Sequence, residues 1–269
     1  MIVDGKEIAR KIEMGLIEKF SLSGISKKKV CFVLFSDNVA SRKFIDRKTK
    51  VAERLGISVT VMERTNVTTT YDCLLVIGEI VSQKYDGIVI QLPIPKDVKI
   101  EDVLNAIPVE MDVDVLSENG KKAFASGLSV KIPPVARAVW EILHFYSVNL
   151  ENKKILIVGN GRLVGEPVGL LLSVKHIPFK IIDINTSERE RMDALATADI
   201  IITGVGMPHM ITPDMIRAGV MLIDAGTSEQ GGVLVGDIDP RCADKARVYT
   251  PVPGGVGPVT VICLFSNLF

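Results

Sequence analysis

The stretch KKILIVGNGRLVGEPVGLLLS, residues 153–173, decides the fold of the second half of the chain. An uninterrupted apolar run leads into Gly159, Gly161 and Gly165, and an apolar helical pattern follows at once. In a strand-turn-helix unit the first glycine permits the tight turn, and the next lets the backbone approach a pyrophosphate. The helix amides and dipole favour the negative charge. Gly165 falls later than in the usual spacing, so a plain structural turn is the alternative to the predicted dinucleotide-binding turn.

The end of the next strand, Asp183, bears on which dinucleotide binds. Its carboxylate can accept hydrogen bonds from the adenosine ribose and repel a 2′-phosphate, which favours NAD over NADP. Alternatively Asp183 only ends its strand or caps the following turn, and Arg189 and Arg191 lie close enough in sequence to bind a phosphate. Both interpretations stay open here. The predicted cofactor-binding residues are Gly159, Asn160, Gly161, Arg162, Gly165, Asp183 and Thr186.

Apolar strand-like runs alternate with amphipathic helical patterns, which is typical of a parallel sheet with crossover helices. The helical patterns lie at 39–55, where Gly56 is the expected C-cap, and at 71–82. The predicted strands are 30–35, 57–62 and 87–92 in the first half, and 155–158, 179–183, 200–203 and 221–224 in the second. The near-continuous apolar runs of the second half indicate strands buried on both faces. We therefore predict a two-domain α/β fold that includes a Rossmann-type domain with a parallel sheet.

The composition favours a small-molecule partner. Lys plus Arg and Asp plus Glu both number 32, so no net charge attracts nucleic acid or an anionic membrane. No uncharged apolar run approaches the roughly 20 residues of a membrane span, and the N-terminus lacks a signal-peptide pattern. The four cysteines form no CxxC pair and the three histidines have no metal-ligand spacing. We expect no metal, and a cytoplasmic location fits best.

A lysine lies on the apolar face of the first predicted crossover helix. Phe44, Lys48, Val51 and Leu55 follow the spacing of one helical face, and Ser41 comes one turn before Phe44. Most helical lysines are solvated or extend to solvent along apolar surface. A lysine within the stripe, below an aromatic ring, is a candidate acid or base, because burial lowers its pKa.

Two further clusters carry candidate chemistry. Gln91 ends a strand, at the edge where open α/β sheets bind ligands. Asp112 and Asp114 stand in a loop, but no other ligands nearby support a metal site. The segment 250–258, TPVPGGVGP, fixes its path with three prolines while its glycines allow a flat ligand close to the backbone.

Together these stretches resemble the bifunctional methylenetetrahydrofolate dehydrogenase/cyclohydrolase family over nearly the whole chain. The terminal TPVPGGVGPVT is the most specific match, followed by GIVIQLPIP at 87–95 and Val-Gly-Asp-Ile-Asp around Asp237. Ser41-x-x-Phe44-x-x-x-Lys48 resembles the family's Ser-x-x-Tyr-x-x-x-Lys helix, and the loop at 112–114 resembles its Asp-Val-Asp loop.

The resemblance implies that 5,10-methylenetetrahydrofolate is oxidised by NADP or NAD and the methenyl product hydrolysed to 10-formyltetrahydrofolate, in one-carbon metabolism and purine biosynthesis. It implies that Lys48 steers the protons of hydrolysis, Gln91 is its hydrogen-bonding partner, and Asp114 grips the pterin edge. The implied catalytic residues are Lys48, Gln91 and Asp114. The implied substrate-binding residues are Ser41, Phe44, Asp114, Pro253 and Gly254.

The departures from the family pattern affect specific steps. Phe44 replaces the usual tyrosine and keeps an aromatic face without the hydroxyl, so hydride transfer should survive while hydrolysis is weakened if that hydroxyl positions Lys48. Val115 replaces the usual glycine after Asp-Val-Asp. Asn160-Gly161 replaces Arg-Ser, which removes a cation near the 2′-phosphate and, with Asp183, leans the cofactor modestly toward NAD.

From the resemblance we expect a folate domain at 1–118, with 249–269 packed back on it, and a Rossmann-type domain at 119–248. We also expect an active site in the cleft between them, and a homodimer joined through the cofactor domains.

A monofunctional dehydrogenase is the alternative that Phe44 keeps open. A non-catalytic dinucleotide-binding regulatory or scaffold protein would have no need of Lys48 or Gln91. A hydroxy-acid dehydrogenase would need a base near the glycine-rich turn, and no strong candidate is visible.

Overall fold

A computed structural model describes residues 1–23 and 27–269. The chain divides into two compact units. The first unit comprises Ile12–Pro133 with Leu264–Phe269, and the second comprises Met1–Lys11 with Pro134–Cys263. Among the described residues, no helix is both long and apolar enough to cross a bilayer.

The first unit is built on a three-stranded parallel sheet in the order β2-β1-β3. Its strands are β1 (Lys29–Leu34), β2 (Ser58–Glu63) and β3 (Gly87–Gln91), and its helices are α1 (Gly5–Ser23, which starts in the second unit), α2 (Val39–Arg54), α3 (Thr70–Ser82), α4 (Ile100–Asn105) and α5 (Glu118–Ala125). Central β1 is buried beyond its first residue. Cys31 and Val33 of β1, and Phe35 directly after it, pack into the core with Ile77 of α3 and Ile88 of β3.

Helix α2, which carries the predicted lysine, has well-defined ends. The Asn38 side chain accepts a hydrogen bond from the Ser41 amide at 3.1 Å, which caps the first turn. At the other end Gly56 adopts φ +71° and its amide donates to the Glu53 carbonyl. The predicted glycine C-cap is therefore confirmed.

The second unit contains a five-stranded parallel sheet in the order β10-β7-β6-β4-β5. Its elements are α6 (Pro134–Phe145), β4 (Ile155–Val158), α7 (Gly165–Val174), β5 (Lys180–Ile182), α8 (Glu188–Thr197), β6 (Ile200–Thr203), β7 (Met221–Asp224), the antiparallel hairpin β8 (Ser228–Gln230) and β9 (Val233–Val235), β10 (Val248–Tyr249) and α9 (Val256–Ser266, whose last residues belong to the first unit). All residues of β4, β6 and β7 are buried, as the apolar runs predict. For the strand predicted at 179–183 this expectation is wrong, because β5 lies at the sheet edge and is fully buried only at Ile182.

The predicted two-domain α/β fold with parallel sheets is confirmed. The units part at 133/134, whereas the predicted boundary is 118/119, and only Leu264–Phe269 of the predicted 249–269 segment joins the first unit. Hydrogen bonds explain the longer first unit. The Glu118 amide donates to Asn105 Oδ1 at 2.9 Å, Lys131 Nζ to the Val109 carbonyl at 3.1 Å, and the Ile132 amide to Asn267 Oδ1 at 3.2 Å.

Val115 combines an unfavourable backbone with a buried side chain. Its φ of +51° is in the left-handed region, where a β-branched residue is strained and glycine is not. The side chain is 1% exposed. Strain of this kind is on the order of 1–3 kcal/mol, and burying a valine side chain offsets it by about the same amount.

We predict that glycine is tolerated at Val115 at least as well as alanine. Both Val115→Gly and Val115→Ala remove the buried methyl groups, but only glycine also relieves the strain. At buried Val103 in α4 the order should be the ordinary one, with Val103→Ala more stable than Val103→Gly by roughly 1 kcal/mol. Urea unfolding of the four variants measures both differences. The same order of alanine and glycine at both positions would contradict strain at Val115.

Candidate active site

The predicted lysine and glutamine meet in the first unit. Lys48 Nζ, on α2, donates a hydrogen bond of 3.1 Å to Gln91 Oε1 at the end of β3. Gln91 Nε2 donates to the Leu92 carbonyl at 3.0 Å, which fixes the amide so that its oxygen faces the lysine. Lys48 Nζ also lies 5.8 Å from the centre of the Phe32 ring, within cation–π range.

The setting of Lys48 favours its neutral form. Its side chain is half-buried on the apolar face of α2. Burial lowers the pKa of the ammonium, and the charge of Asp114 opposes that shift. Gln91 accepts the hydrogen bond without adding a negative charge. The lysine is thereby placed closer to neutrality than a solvated one, as a general base requires.

Asp114 forms the acidic side of the site. Burial raises the pKa of its carboxyl, the positive charge of Lys48 lowers it, and the charge of Asp112 raises it. The two ionisable groups of the site, Lys48 and Asp114, are therefore coupled, and each favours the charged form of the other.

Asp112 has a different environment from Asp114. It is 3% exposed, and its Oδ2 accepts hydrogen bonds from the Ser117 amide at 3.1 Å and the Ser117 hydroxyl at 2.6 Å. Ser117 Oγ in turn accepts from the Gly120 amide at 2.8 Å and caps α5. A Cβ on Gly120 would stand 2.7 Å from Asp112 Oδ2. Asp112 thus holds the loop that presents Asp114.

Asn267 is a residue of this site that sequence reasoning missed. Its Nδ2 donates to the carbonyls of Val113 and Ile132, both at 2.8 Å, and its Oδ1 accepts from the Ile132 amide at 3.2 Å. Val113 lies between the two aspartates, so Asn267 ties the backbone of their loop to the 132 segment. No sequence pattern marks Asn267, because it is a single amide after an apolar helix and its burial is visible only in the structure.

Ser41 and Phe44, predicted to bind substrate, lie on the same helix as Lys48. Ser41 is 2% exposed, and its hydroxyl donates to the Leu92 carbonyl at 3.2 Å. Its hydrogen bond therefore joins α2 to the segment after Gln91. Phe44 is half-buried, and the Arg47 guanidinium carbon lies 5.8 Å from its ring centre. The ring keeps an exposed surface, which suits a flat heterocycle.

The glycine-rich turn in the second unit has space for a ligand at its middle only. Gly159 adopts φ +83°, and a Cβ there would lie 2.2 Å from Val205 Cγ1. A Cβ on Gly165 would lie 1.9 Å from the Gly159 carbonyl oxygen, whereas Gly161 has no neighbour within 4 Å. Asn160 and Gly161 are exposed. The fold therefore requires the outer glycines and leaves exposed backbone before the first turn of α7, which fits a dinucleotide pyrophosphate.

Asp183 acts as a turn cap in this structure. Its Oδ1 accepts a hydrogen bond of 2.8 Å from the Asn185 amide, and its own amide donates to Thr186 Oγ1 at 3.0 Å. These bonds confirm that Asp183 caps the turn that follows its strand. The carboxylate is half-buried and its role toward a ribose stays a prediction.

Pro253 and Gly254, predicted to contact folate and nicotinamide, belong to the second unit. Gly254 adopts φ +109°, and its carbonyl accepts from the Gly5 amide at 2.9 Å. A Cβ on Gly5 would lie 1.8 Å from the Gly255 carbonyl oxygen. The loop is thus anchored to the start of α1, and its ligand contacts stay a prediction.

Comparisons with known proteins match both halves of the chain to one family. Residues 3–114 match the catalytic domain of tetrahydrofolate dehydrogenase/cyclohydrolase, and residues 133–269 match its NAD(P)-binding domain. The chain belongs to this family. It is 35% identical over 248 residues to a bifunctional protein FolD of Mycoplasmopsis synoviae, covering 89% of this chain and 87% of the relative, and 33% identical to that of Aquifex aeolicus, covering 99% and 93%.

Solved structures show the same family fold. The crystal structure of the bifunctional FolD enzyme from Campylobacter jejuni superposes with a TM-score of 0.91 at 29% identity, covering 100% of this chain and 96% of that one. Lys48, Gln91 and Asp114 lie within the segment that matches the catalytic domain. The glycine-rich turn lies in the NAD(P)-binding domain.

We predict that Gln91→Glu raises the pKa of Lys48. A carboxylate in place of the amide would stand within hydrogen-bond distance of Nζ and favour the ammonium form. Titration of the Lys48 side chain, followed by NMR of 13Cε-labelled lysine, measures the shift. The control, Gln83→Glu, adds the same charge at an exposed position of the first unit and should leave the Lys48 pKa unchanged. An unchanged pKa in Gln91→Glu would mean that the two side chains are not in contact.

Proposed function

We propose that this chain oxidises 5,10-methylenetetrahydrofolate to the 5,10-methenyl form with NAD or NADP and hydrolyses that product to 10-formyltetrahydrofolate. The hydrogen bond between Lys48 Nζ and Gln91 Oε1, beside Asp114, is the observation that carries the proposal. It supplies a lysine with a lowered pKa, an amide that orients it, and a carboxylate for a donor-rich ring.

The hydrolytic step suits this cluster. Water adds to the cationic methenyl carbon and loses a proton to the neutral Lys48 amine. The bond from that carbon to N5 then breaks as the hydroxyl proton of the adduct moves to N5, which leaves the formyl group on N10. One proton is released in the net reaction, and Lys48 passes it to solvent. Asp114 holds the pterin's amino-pyrimidine edge during both steps.

The oxidative step depends on alignment. The dinucleotide, when bound, accepts a hydride from the methylene carbon. The exposed backbone at Asn160-Gly161, before the N-terminus of α7, would hold its phosphates, and the Phe44 ring would offer an apolar face to the folate. Neither task requires the hydroxyl that Phe44 lacks.

A dehydrogenase without hydrolysis is a second candidate function, favoured by Phe44. The deciding experiment mixes purified protein with 5,10-methylenetetrahydrofolate and NAD or NADP and follows methenyl absorbance. Parallel reactions start from methenyltetrahydrofolate and time its decay against the uncatalysed rate. Turnover in both assays supports the bifunctional proposal, and methenyl accumulation without faster decay supports the second candidate. Folded protein without turnover would contradict both and favour a dinucleotide-binding module.

We predict that Lys48→Met lowers the rate of methenyl hydrolysis by about 100-fold or more, because it removes the proton acceptor while keeping a side chain of similar length. The control is Lys50→Met, which removes an exposed lysine from the same helix and should leave hydrolysis unchanged. The decay of methenyltetrahydrofolate measures both rates, and circular dichroism checks that both variants are folded. Hydrolysis at the native rate in Lys48→Met would remove the lysine from the mechanism.

For the cofactor we propose a modest preference for NAD. The support is the carboxylate of Asp183 after β5 and the absence of a basic side chain at Asn160-Gly161. Because Asp183 Oδ1 caps the turn, the informative variant keeps that oxygen and removes only the charge.

We predict that Asp183→Asn raises kcat/KM for NADP relative to NAD about tenfold, since it retains the turn and abolishes repulsion of a 2′-phosphate. Dehydrogenase kinetics with each dinucleotide measure the ratio. Asp244→Asn removes an exposed carboxylate elsewhere in the second unit and serves as the control. An unchanged ratio in Asp183→Asn would limit Asp183 to its turn-capping role.

We also propose a cytoplasmic homodimer joined through the second units, whose formyl product serves purine biosynthesis. The β8–β9 hairpin supports the dimer, because a two-stranded hairpin is marginal alone and Val233 is 60% exposed on it. Sedimentation of the purified chain tests the dimer, and a monomer at micromolar concentration would contradict it.

A further inference from the structure

Asp237 is a fully buried carboxylate that the proposed chemistry does not use. It is 0% exposed and accepts three hydrogen bonds. Its Oδ2 accepts from Thr203 Oγ1 at 2.9 Å and from the Val205 amide at 2.7 Å, and its Oδ1 accepts from the Met207 amide at 2.9 Å. All three donors belong to the end of β6 and the loop after it, residues 203–207.

That loop interlocks with the glycine-rich turn at both of the turn's ends. Val205 fills the space beside Gly159, where a Cβ would lie 2.2 Å from Val205 Cγ1. Gly204 leaves room for Val164, the residue before α7, since a Cβ on Gly204 would lie 2.3 Å from Val164 Cγ2. A displacement of the 203–207 loop would therefore displace the turn that we propose to bind the dinucleotide.

The loop also presents apolar side chains where a ligand would bind. Val205 is 36% exposed and Met207 56% exposed, and both follow the carboxyl end of β6. In an open parallel sheet this edge is the ligand edge. Exposed apolar side chains beside a phosphate-binding turn suit the flat rings of a dinucleotide.

Packing against Gly226 and a hydrogen bond to the next residue fix the position of Asp237. A Cβ on Gly226 would lie 2.4 Å from Asp237 Cγ, so only glycine fits there. The neighbouring Asp224 accepts hydrogen bonds from the Gly226 amide at 2.9 Å and the Ile238 amide at 2.8 Å. Burial raises the pKa of Asp224 to about 7, and the charge of Asp237 adds to that shift. Asp224 therefore holds the backbone directly after Asp237, through the Ile238 amide.

We propose that Asp237 is a positioning residue for the dinucleotide, which acts without touching it by holding the 203–207 loop against the glycine-rich turn. The proposal rests on the proposed function and deepens its cofactor half. It gives a physical role to the Val-Gly-Asp-Ile-Asp motif, whose central aspartate is the acceptor for three donors.

The test is Asp237→Asn in the full chain. The asparagine amide has the same size, but its NH2 group replaces one of the two acceptor oxygens. In one orientation the Thr203 hydroxyl and the Val205 amide lose their acceptor, and in the other the Met207 amide does. We expect the Kd for NAD or NADP, whichever binds the native chain more tightly, to rise roughly 10- to 100-fold by calorimetry. Methenyl hydrolysis without dinucleotide should stay within about twofold of native, because Lys48, Gln91 and Asp114 lie in the first unit.

Two further variants make the test decisive. Thr203→Val removes one donor and keeps both amide bonds, so its Kd should rise by less than that of Asp237→Asn. Asp244→Asn, which removes an exposed carboxylate of the same unit, should leave the Kd unchanged. A native Kd in folded Asp237→Asn would overturn the inference alone. Should Asp237→Asn lose its fold, a native Kd in Thr203→Val overturns it instead. A native chain that binds neither dinucleotide would overturn the proposed function as well.

Discussion

The hydrogen bond between Lys48 and Gln91 is the interaction on which the rest of the catalytic unit depends. A half-buried lysine needs an acceptor, but a carboxylate in contact would hold it as an ammonium. The glutamine amide satisfies one N–H of Lys48 and contributes no charge. The compensating negative charge comes from Asp114, which opposes the effect of burial on the Lys48 pKa through its charge, while the hydrogen bond of Lys48 goes to Gln91. Burial therefore lowers the pKa of the amine, and the charge of Asp114 limits that shift.

This balance requires three chain segments to converge, and each is held by a polar contact away from the reacting atoms. The Ser41 hydroxyl on α2 donates to the Leu92 carbonyl, the Ser117 hydroxyl donates to Asp112 Oδ2, and Asn267 Nδ2 donates to the Val113 carbonyl. Among the described residues, no buried side-chain nitrogen or oxygen lacks a partner. Each such bond contributes about 1 kcal/mol net, but leaving one partner buried and unpaired costs more. The site therefore tolerates little change in the side chains that hold these three segments together.

The sequence was most informative where one physical pattern dominates. The buried central strands, the half-buried position of Lys48 and the Gly56 cap followed from periodicity and backbone chemistry, and Gln91 from its position at a strand end. The fully buried residues of α2 are Ser41, Ile45 and Ala52, whereas Phe44 and Val51 of the predicted stripe are only half-buried. Asn267 was not predictable, because its partners are carbonyls distant in sequence, and carbonyls leave no sequence signal. Short elements such as α4 and β10 have too few residues to show a period.

Acidic motifs in the sequence are ambiguous for a related reason. A loop that leaves the carboxyl end of a parallel strand loses its ladder partners, so its amides need another acceptor. Asp237 meets this need for the loop after β6, and Asp112 meets a similar need in the loop before α5; each is buried and lies against a glycine that has no room for a Cβ. Asp114 is the contrasting case, since it keeps exposed surface and its electrostatic partner is a lysine. Of the two carboxylates in the Asp-Val-Asp loop, Asp112 therefore holds the loop, and Asp114 is the one that keeps exposed surface.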